Sequence, residues 1–200
     1  MAMYWRALIT SRKRYVMSLR GRRENRRDER REFGAGGSAS QYQMRQKLLA
    51  FGDDYWIENG DGERVFRVDG KVLRVRKTLD IEDAHGTALC RIQSRVMHIR
   101  DTMIIERPDG TSMATVHKAL ISPLRERWKV EVTGDDPIDV QGNIFDHEYD
   151  LEVNGRKIAE VSKKWFRVRD TYGVQVAADA DTVLVLAVGL ALDIMGHPED

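Results

Sequence analysis

The absences in this sequence narrow its class first. It has one cysteine, Cys90, so no intrachain disulfide can form and a reducing compartment is expected. Cys90 lies in the apolar-alternating "ALCRIQ" and reads as a small buried hydrophobe rather than a nucleophile. No secretory signal opens the chain, because Arg6 interrupts the short apolar stretch of "MAMYWRALITSRKRY". No Gly-rich phosphate loop, nucleophile elbow or zinc signature is present. No long amphipathic helical pattern appears between residues 53 and 178. Charge of one sign is also missing overall. Charged residues make up 32% of the chain, yet the net charge is only +1, which argues against a strong polyelectrolyte partner.

That small net charge conceals two opposed parts. Residues 1–32 carry 11 Lys and Arg against 4 Asp and Glu, a net of +7, and the remainder is −6. Three regions follow: a basic arm over 1–33 with helical spacing at Trp5, Leu8, Ile9, Val16 and Leu19, a flexible linker over 34–43, and a body over 44–200. The arm is suited to anionic lipid or nucleic acid, but the favoured readings are a solvated tail or an over-extension ahead of a start at Met44. On this division, removing residues 1–43 is expected to leave the body intact.

The body alternates apolar and polar residues in short runs separated by turn dipeptides: "NGDG" (59–62), then "DG", "HG", "DG", "GDD", "GN" and "NG" at 69, 85, 109, 134, 142 and 154. Asp-Gly and Asn-Gly pairs suit two-residue type I′ hairpins. "VFRVDGKVLRV" predicts a hairpin at Asp69-Gly70. "YDLEVNGRKIAEV" predicts one at Asn154-Gly155, with Leu151 opposite Ile158. About a dozen strands result, which must curl or close to remove their edges. A unit also repeats: "IQSRVMHIRDT" (92–102) aligns without gaps on "VSKKWFRVRDT" (161–171), and "VLRVRKT" (72–78) fits its end. "ATVHKAL" (114–120) likewise resembles "AEVSKKW" (159–165). The three versions of Arg-Asp-Thr, ending at Thr78, Thr102 and Thr171, read as a structural strand–turn–strand device rather than a catalytic one.

One apolar run remains, "DADTVLVLAVGLALDIMG" (179–196). Asp181 and Asp193 bound it too closely for the roughly 20 apolar residues of a membrane helix. Asp181 can cap a helix from about 181 to 195, and Gly196 and Pro198 can end it. Apolar residues cover its whole circumference, so it must be buried on all sides. After a dozen strands, the expected fold is mainly β: a closed antiparallel barrel around this C-terminal helix.

The chain from about Met44 onward resembles the LURP-one-related family of the Tubby C-terminal-like superfamily. The resemblance rests on "MRQKLLAFGDDYWIENGDGERVFRVDGK", "KALISPLRERWKV" (118–130), "GNIFDHEY" (142–149) and "KKWFRVRDTYGV" (163–174), followed by the apolar terminal segment. It implies a 12-stranded antiparallel barrel around a hydrophobic C-terminal helix. The wider superfamily includes phosphoinositide binders and phospholipid scramblases. No phosphoinositide-contact motif maps onto this chain, so the resemblance carries no site residue with it.

Candidate sites are few. Asp146, His147 and Glu148 in "FDHEYD" look like a ligand cluster, but on a strand His147 faces away from both acids, so no metal or catalytic site is assigned. No cofactor is expected, and because the helix fills the barrel a deep central substrate cavity is not expected either. Two basic and aromatic stretches remain, "SKKWFRVR" (162–169) and "SPLRERWK" (122–129). Lys163, Lys164, Arg167, Arg125, Arg127 and Lys129 are candidate contacts to anionic headgroups, with Trp165 or Trp128 at the interface. The competing reading is a solvated barrel face with the aromatics in the wall. The expectation is a non-enzymatic, cytoplasmic module, peripheral at an anionic phospholipid membrane. A protein-interaction scaffold is the alternative, ahead of a scramblase-like or hydrolytic activity. Nucleic acid is unexpected except through the arm.

Overall fold

Period-two alternation runs through the body of this protein and sets its architecture. The structure is a computed structural model, and it describes residues 39–45, 55–70, 78–95, 102–118, 127–165 and 171–196. The chain divides into Met1–Ser38 and Ala39–Asp200, and all described residues belong to the second unit. The expectations for the basic arm therefore lie outside the described residues.

Twelve strands form one closed barrel in sequence order: β1 (Ser40–Arg45), β2 (Tyr55–Asn59), β3 (Arg64–Gly70), β4 (Thr78–Asp83), β5 (Ala88–Arg95), β6 (Thr102–Glu106), β7 (Ser112–Lys118), β8 (Arg127–Val132), β9 (Ile138–Asn143), β10 (Glu148–Val153), β11 (Arg156–Ser162) and β12 (Thr171–Val176). Every neighbouring pair is antiparallel, and β1 closes the ring by pairing with both β12 and β2. Closure leaves no strand edge to template aggregation. Inward positions form continuous cross-strand rows, such as Val68–Ile81–Cys90 and Val140–Leu151–Ala159–Val176. All of these are buried. Outward positions pair charges instead. Arg91 grips Asp80 at 2.6 Å, and Lys157 meets Asp150 at 2.8 Å and Glu160 at 2.6 Å.

The single described α-helix, α1 (Thr182–Gly196), occupies the interior. The Asp181 carboxylate accepts from the Leu184 amide at 3.0 Å, and its carbonyl accepts from Val185, so Asp181 is the N-cap. Leu184 through Ile194 are buried on every side, as a helix with no polar face requires. Among the described residues no helix is long and apolar enough to cross a membrane.

A regular spacing places several of the turns. Gly62, Gly86, Gly110 and Gly134 recur at one constant interval with φ of 79°, 85°, 84° and 86°. Ile57, Ile81 and Ile105 recur at the same interval, each followed by a β-bulge at a glutamate. Thr78, Thr102 and Thr171 each open an even-numbered strand. Their preceding Arg, Lys and Asp residues lie outside the described residues.

Several local expectations are corrected. Among the described residues only Asn154-Gly155, at φ 51° and 80°, has the two positive angles of a type I′ turn. The turns over 59–63, 83–87 and 107–111 are instead four-residue turns in which only the glycine is left-handed, with a paired residue after it. The expected hairpin at Asp69-Gly70 is absent: both residues belong to β3, opposite Asp80 and Leu79. Leu151 faces Ala159, not Ile158, because a bulge follows Leu151 and shifts the register. Gly142-Asn143 is the end of β9 rather than a turn. At φ 141° a Cβ on Gly142 would come within 2.4 Å of the Glu148 carbonyl and 2.6 Å of the Tyr149 Cα. Residues 40–43 are strand rather than linker, since Gln41 and Gln43 alternate with Tyr42 and Met44 and pair with β12. Removing residues 1–43 would therefore strip most of the strand that closes the barrel.

Candidate functional site

An antiparallel meander puts alternate connections at opposite ends. One end holds the tight turns of β2–β3, β4–β5, β6–β7, β8–β9 and β10–β11, and the segment that leads into α1. The other end, called the rim below, receives the connections 46–54, 71–77, 96–101, 119–126, 144–147 and 163–170. The C-terminal end of α1 reaches the rim, where a Cβ on Gly196 would lie 3.1 Å from the Ile144 side chain.

Of the six cationic candidates, Lys163 and Lys164 stand at this rim, whereas Lys129 lies within β8, away from it. Arg125 lies in the β7–β8 connection and Arg167 in the β11–β12 connection, both outside the described residues. Arg127 opens β8, opposite Gln141, and Lys129 lies further into the strand, opposite Asp139 and between the buried Trp128 and Val130. Lys163 and Lys164 follow β11 in a single turn of 3-10 helix, Lys163–Trp165. Trp128 is buried in the wall, with the Lys118 ammonium 5.6 Å from its ring centre, so it does not stand at an interface. Trp165 is half-buried.

The β9–β10 turn lies between these two groups in the strand order. Its tip carries Phe145, which is 48% exposed and the one large hydrophobic side chain left exposed among the described residues. The turn is firmly mounted. Asn143 and Asp146 bond across it, and the His147 amide donates to the Ile144 carbonyl at 3.0 Å. His147, at φ 52°, turns its ring inward. There Nε2 meets the Asp193 carboxylate of α1 at 2.7 Å, and the ring packs 4.4 Å from Tyr172. Asp146 faces Asn143, and Glu148 faces residues 162–164. The Asp-His-Glu triplet thus diverges in three directions, and no metal-holding cluster occurs among the described residues.

Around Asp193 the rim interior is unusually polar. Burial, and secondarily the Asp193 charge, raises the tyrosines Tyr55, Tyr149 and Tyr172 well above the ordinary phenol range. All three stand at or next to the first residue of an even-numbered strand. Burial pushes the Cys90 thiol up to about 12, with smaller contributions from Asp181 and Asp80, so it stays a protonated wall residue.

Glu148 binds the neighbouring turn. One carboxylate oxygen accepts from the Ser162 hydroxyl at 2.9 Å and from the Lys163 amide at 3.2 Å. The other accepts from the Lys164 ammonium at 2.8 Å. This hydrogen bond, and then the Glu148 charge, raises Lys164 above the usual lysine range. Sequence reasoning found the lysines and named Glu148 only within a discounted ligand cluster; it missed Phe145, the bonds from Glu148 to residues 162–164 and the His147–Asp193 bond. The lone aromatic at the tip of "GNIFDHEY" was the available signal for Phe145. The Glu148 bonds and the His147–Asp193 bond depend on which strands and helix ends meet.

Residues 40–193 match the family described as LURP-one-related. The chain belongs to the LURP-one-related family. The match starts at β1 and ends within α1, so it spans the barrel of this LURP-one-related chain and excludes its basic arm. YxjI of Bacillus subtilis (strain 168), described as uncharacterized, is 25% identical over 157 residues, covering 78% of this chain and 94% of that protein. The X-ray structure of an Arabidopsis thaliana protein superposes with a TM-score of 0.58 at 14% identity, over 78% of this chain and 92% of that one. That likeness speaks for the LURP-one-related fold alone.

Proposed function

We propose that this protein is a non-enzymatic cytoplasmic binding module that docks its rim on an anionic membrane surface. The observation that carries this reading is that Phe145, Lys163 and Lys164 share one end of the barrel. An exposed aromatic at the same end of a barrel as two lysines suits a headgroup boundary, where the ring enters the apolar margin and the ammonium groups meet phosphates. The sequence of the connections agrees. Segment 71–77 contains Lys71, Arg74, Arg76 and Lys77 beside Val72, Leu73 and Val75, whereas the opposite end offers Asp61, Asp135, Asp136 and Asp179. The enzyme reading is weaker, because the acid and base groups described at the rim are either occupied in holding turns or buried around α1.

Vesicle co-sedimentation tests the proposal. Binding is expected to vesicles containing anionic lipid, to fall steeply with added salt, and to be absent on neutral vesicles. Phe145→Asp should weaken it. Capture of a protein partner that survives high salt, with no vesicle binding, would instead favour a scaffold.

A further inference from the structure

The Glu148 carboxylate sits in a set of donors that would serve a phosphate equally well. We propose that Ser162, Lys163 and Lys164 form a binding site for a phosphate group, and that Glu148 is its built-in occupant. This rests on the membrane reading for its biological source of phosphate, though not for its chemistry. Three donors from consecutive residues converge on one carboxylate: the Ser162 hydroxyl, the Lys163 amide and the Lys164 ammonium, at 2.9, 3.2 and 2.8 Å. The Ser162 oxygen also accepts from the Lys164 amide at 3.1 Å, which fixes its hydroxyl toward Glu148. A hydroxyl, a backbone N–H and an ammonium are the donor types that hold phosphate oxygens in proteins.

The position fits exchange of the occupant. Ser162 is buried at the end of β11, so the floor of the site is rigid. The Lys164 side chain is 79% exposed and that of Glu148 30%, so the outer side is open to solvent. Glu148 is the first residue of β10, directly after the turn that carries Phe145. A phosphate that displaced Glu148 would thus lie at the same end of the barrel as the exposed aromatic. Glu148 lowers affinity in two ways: it fills the donors, and it adds a negative charge that repels the incoming group. An anionic surface gains when that charge is removed.

The test uses the full chain and two substitutions. Glu148→Gln keeps an occupant but removes its charge, and Glu148→Ala empties the donors. Vesicle affinity should rise about fivefold for Gln, the effect of roughly one unit charge near an anionic surface, and further for Ala. Adding Ser162→Ala to Glu148→Ala should cancel the second gain and leave the first. Glu58→Gln, near the tight-turn end, should change nothing. Inorganic phosphate, titrated into the Glu148→Ala protein, should shift the Lys163 amide resonance, and Ser162→Ala should abolish that shift. A phosphate shift without vesicle binding would sustain the site and overturn the membrane source. Vesicle binding that ignores Glu148→Ala and Ser162→Ala, with no phosphate shift at Lys163, would overturn the site and leave the membrane reading standing.

Discussion

At the tight-turn end, the Asp83 carboxylate accepts from the amides of His85 and Thr87, both inside its own turn, at 2.8 Å each. At the rim, His147 reaches Asp193, a residue 46 positions away on another element. The first end is shaped by local chemistry: a side chain caps a turn, a glycine takes the left-handed angle, and the pattern repeats. The second end is shaped by meetings between distant elements. An end built locally tolerates damage locally, while one built from long-range contacts transmits damage to the core. The ends differ also in what they expose: the tight turns carry Asp61, Asp135 and Asp136, and the described part of the rim carries Lys163, Lys164, Asp146 and the exposed Phe145.

The most severe loss should come from between the two ends, in the helix that spans them. Leu186 is fully buried in α1. Leu186→Asp places an unpaired charge in the barrel interior and should prevent folding, with loss of the near-ultraviolet circular dichroism signal. Truncation after Asp179 should do the same, since it removes a set of side chains worth about 1.5–3 kcal/mol each from a domain stable by roughly 5–15 kcal/mol.

Next comes the bond that distinguishes the rim. His147→Ala leaves the Asp193 carboxylate buried without its imidazole partner and should lower stability by about 3–5 kcal/mol, measured by urea denaturation. His147→Phe with Asp193→Leu should recover much of that loss, because the buried charge goes with its partner. If the single substitution is harmless, the rim is not held to α1 through this bond.

A smaller effect should appear in alkali. Buried Tyr55 and Tyr172 stay neutral in the folded protein, whereas in the unfolded chain they ionise around the ordinary value of 10.0. The unfolded state then releases protons that the folded state keeps. Their contribution to stability is accordingly complete below about pH 9 and falls as pH rises past 10. Cys90 adds to the fall between 9.0 and about 12. Melting temperatures across pH 8–11 would check the direction.

The mildest change belongs to the tight-turn end. Asp83→Ala and Asp109→Ala each remove an exposed turn cap, and each should shift melting slightly without altering the rim. Both carboxyls sit below the usual aspartate range. At Asp83 the leading cause is the backbone hydrogen bond from Thr87, and at Asp109 it is the side-chain hydrogen bond from Thr111.

The architecture was legible because its signals are periodic. Tyr149 and Leu151 alternating with charges in β10, the recurring glycines and the apolar run of α1 each point to one solution. The register details were less legible. A bulge after Leu151 has no distinctive residue type, and Gly142 looks like any turn glycine until Tyr149 packs over it. The rim was legible only in part. Lys163 and Lys164 announce themselves as charges, but their partner Glu148 lies two strands back in the chain and is set against them by the β10–β11 register. Asp193 reads in sequence as a residue that excludes a membrane helix. Its burial against His147 follows only from the end of α1 reaching the β9–β10 turn.

That the rim, and not the tight-turn end, faces the membrane can be tested with a single added thiol at each end, because Cys90 is buried and protonated. Phe145→Cys marks the rim and Asp135→Cys the opposite end, each carrying an environment-sensitive fluorophore. With vesicles containing anionic lipid, rim docking predicts a blue shift and protection from an aqueous quencher at position 145 and no change at position 135. Equal responses at both positions, or a response at 135 alone, would contradict it.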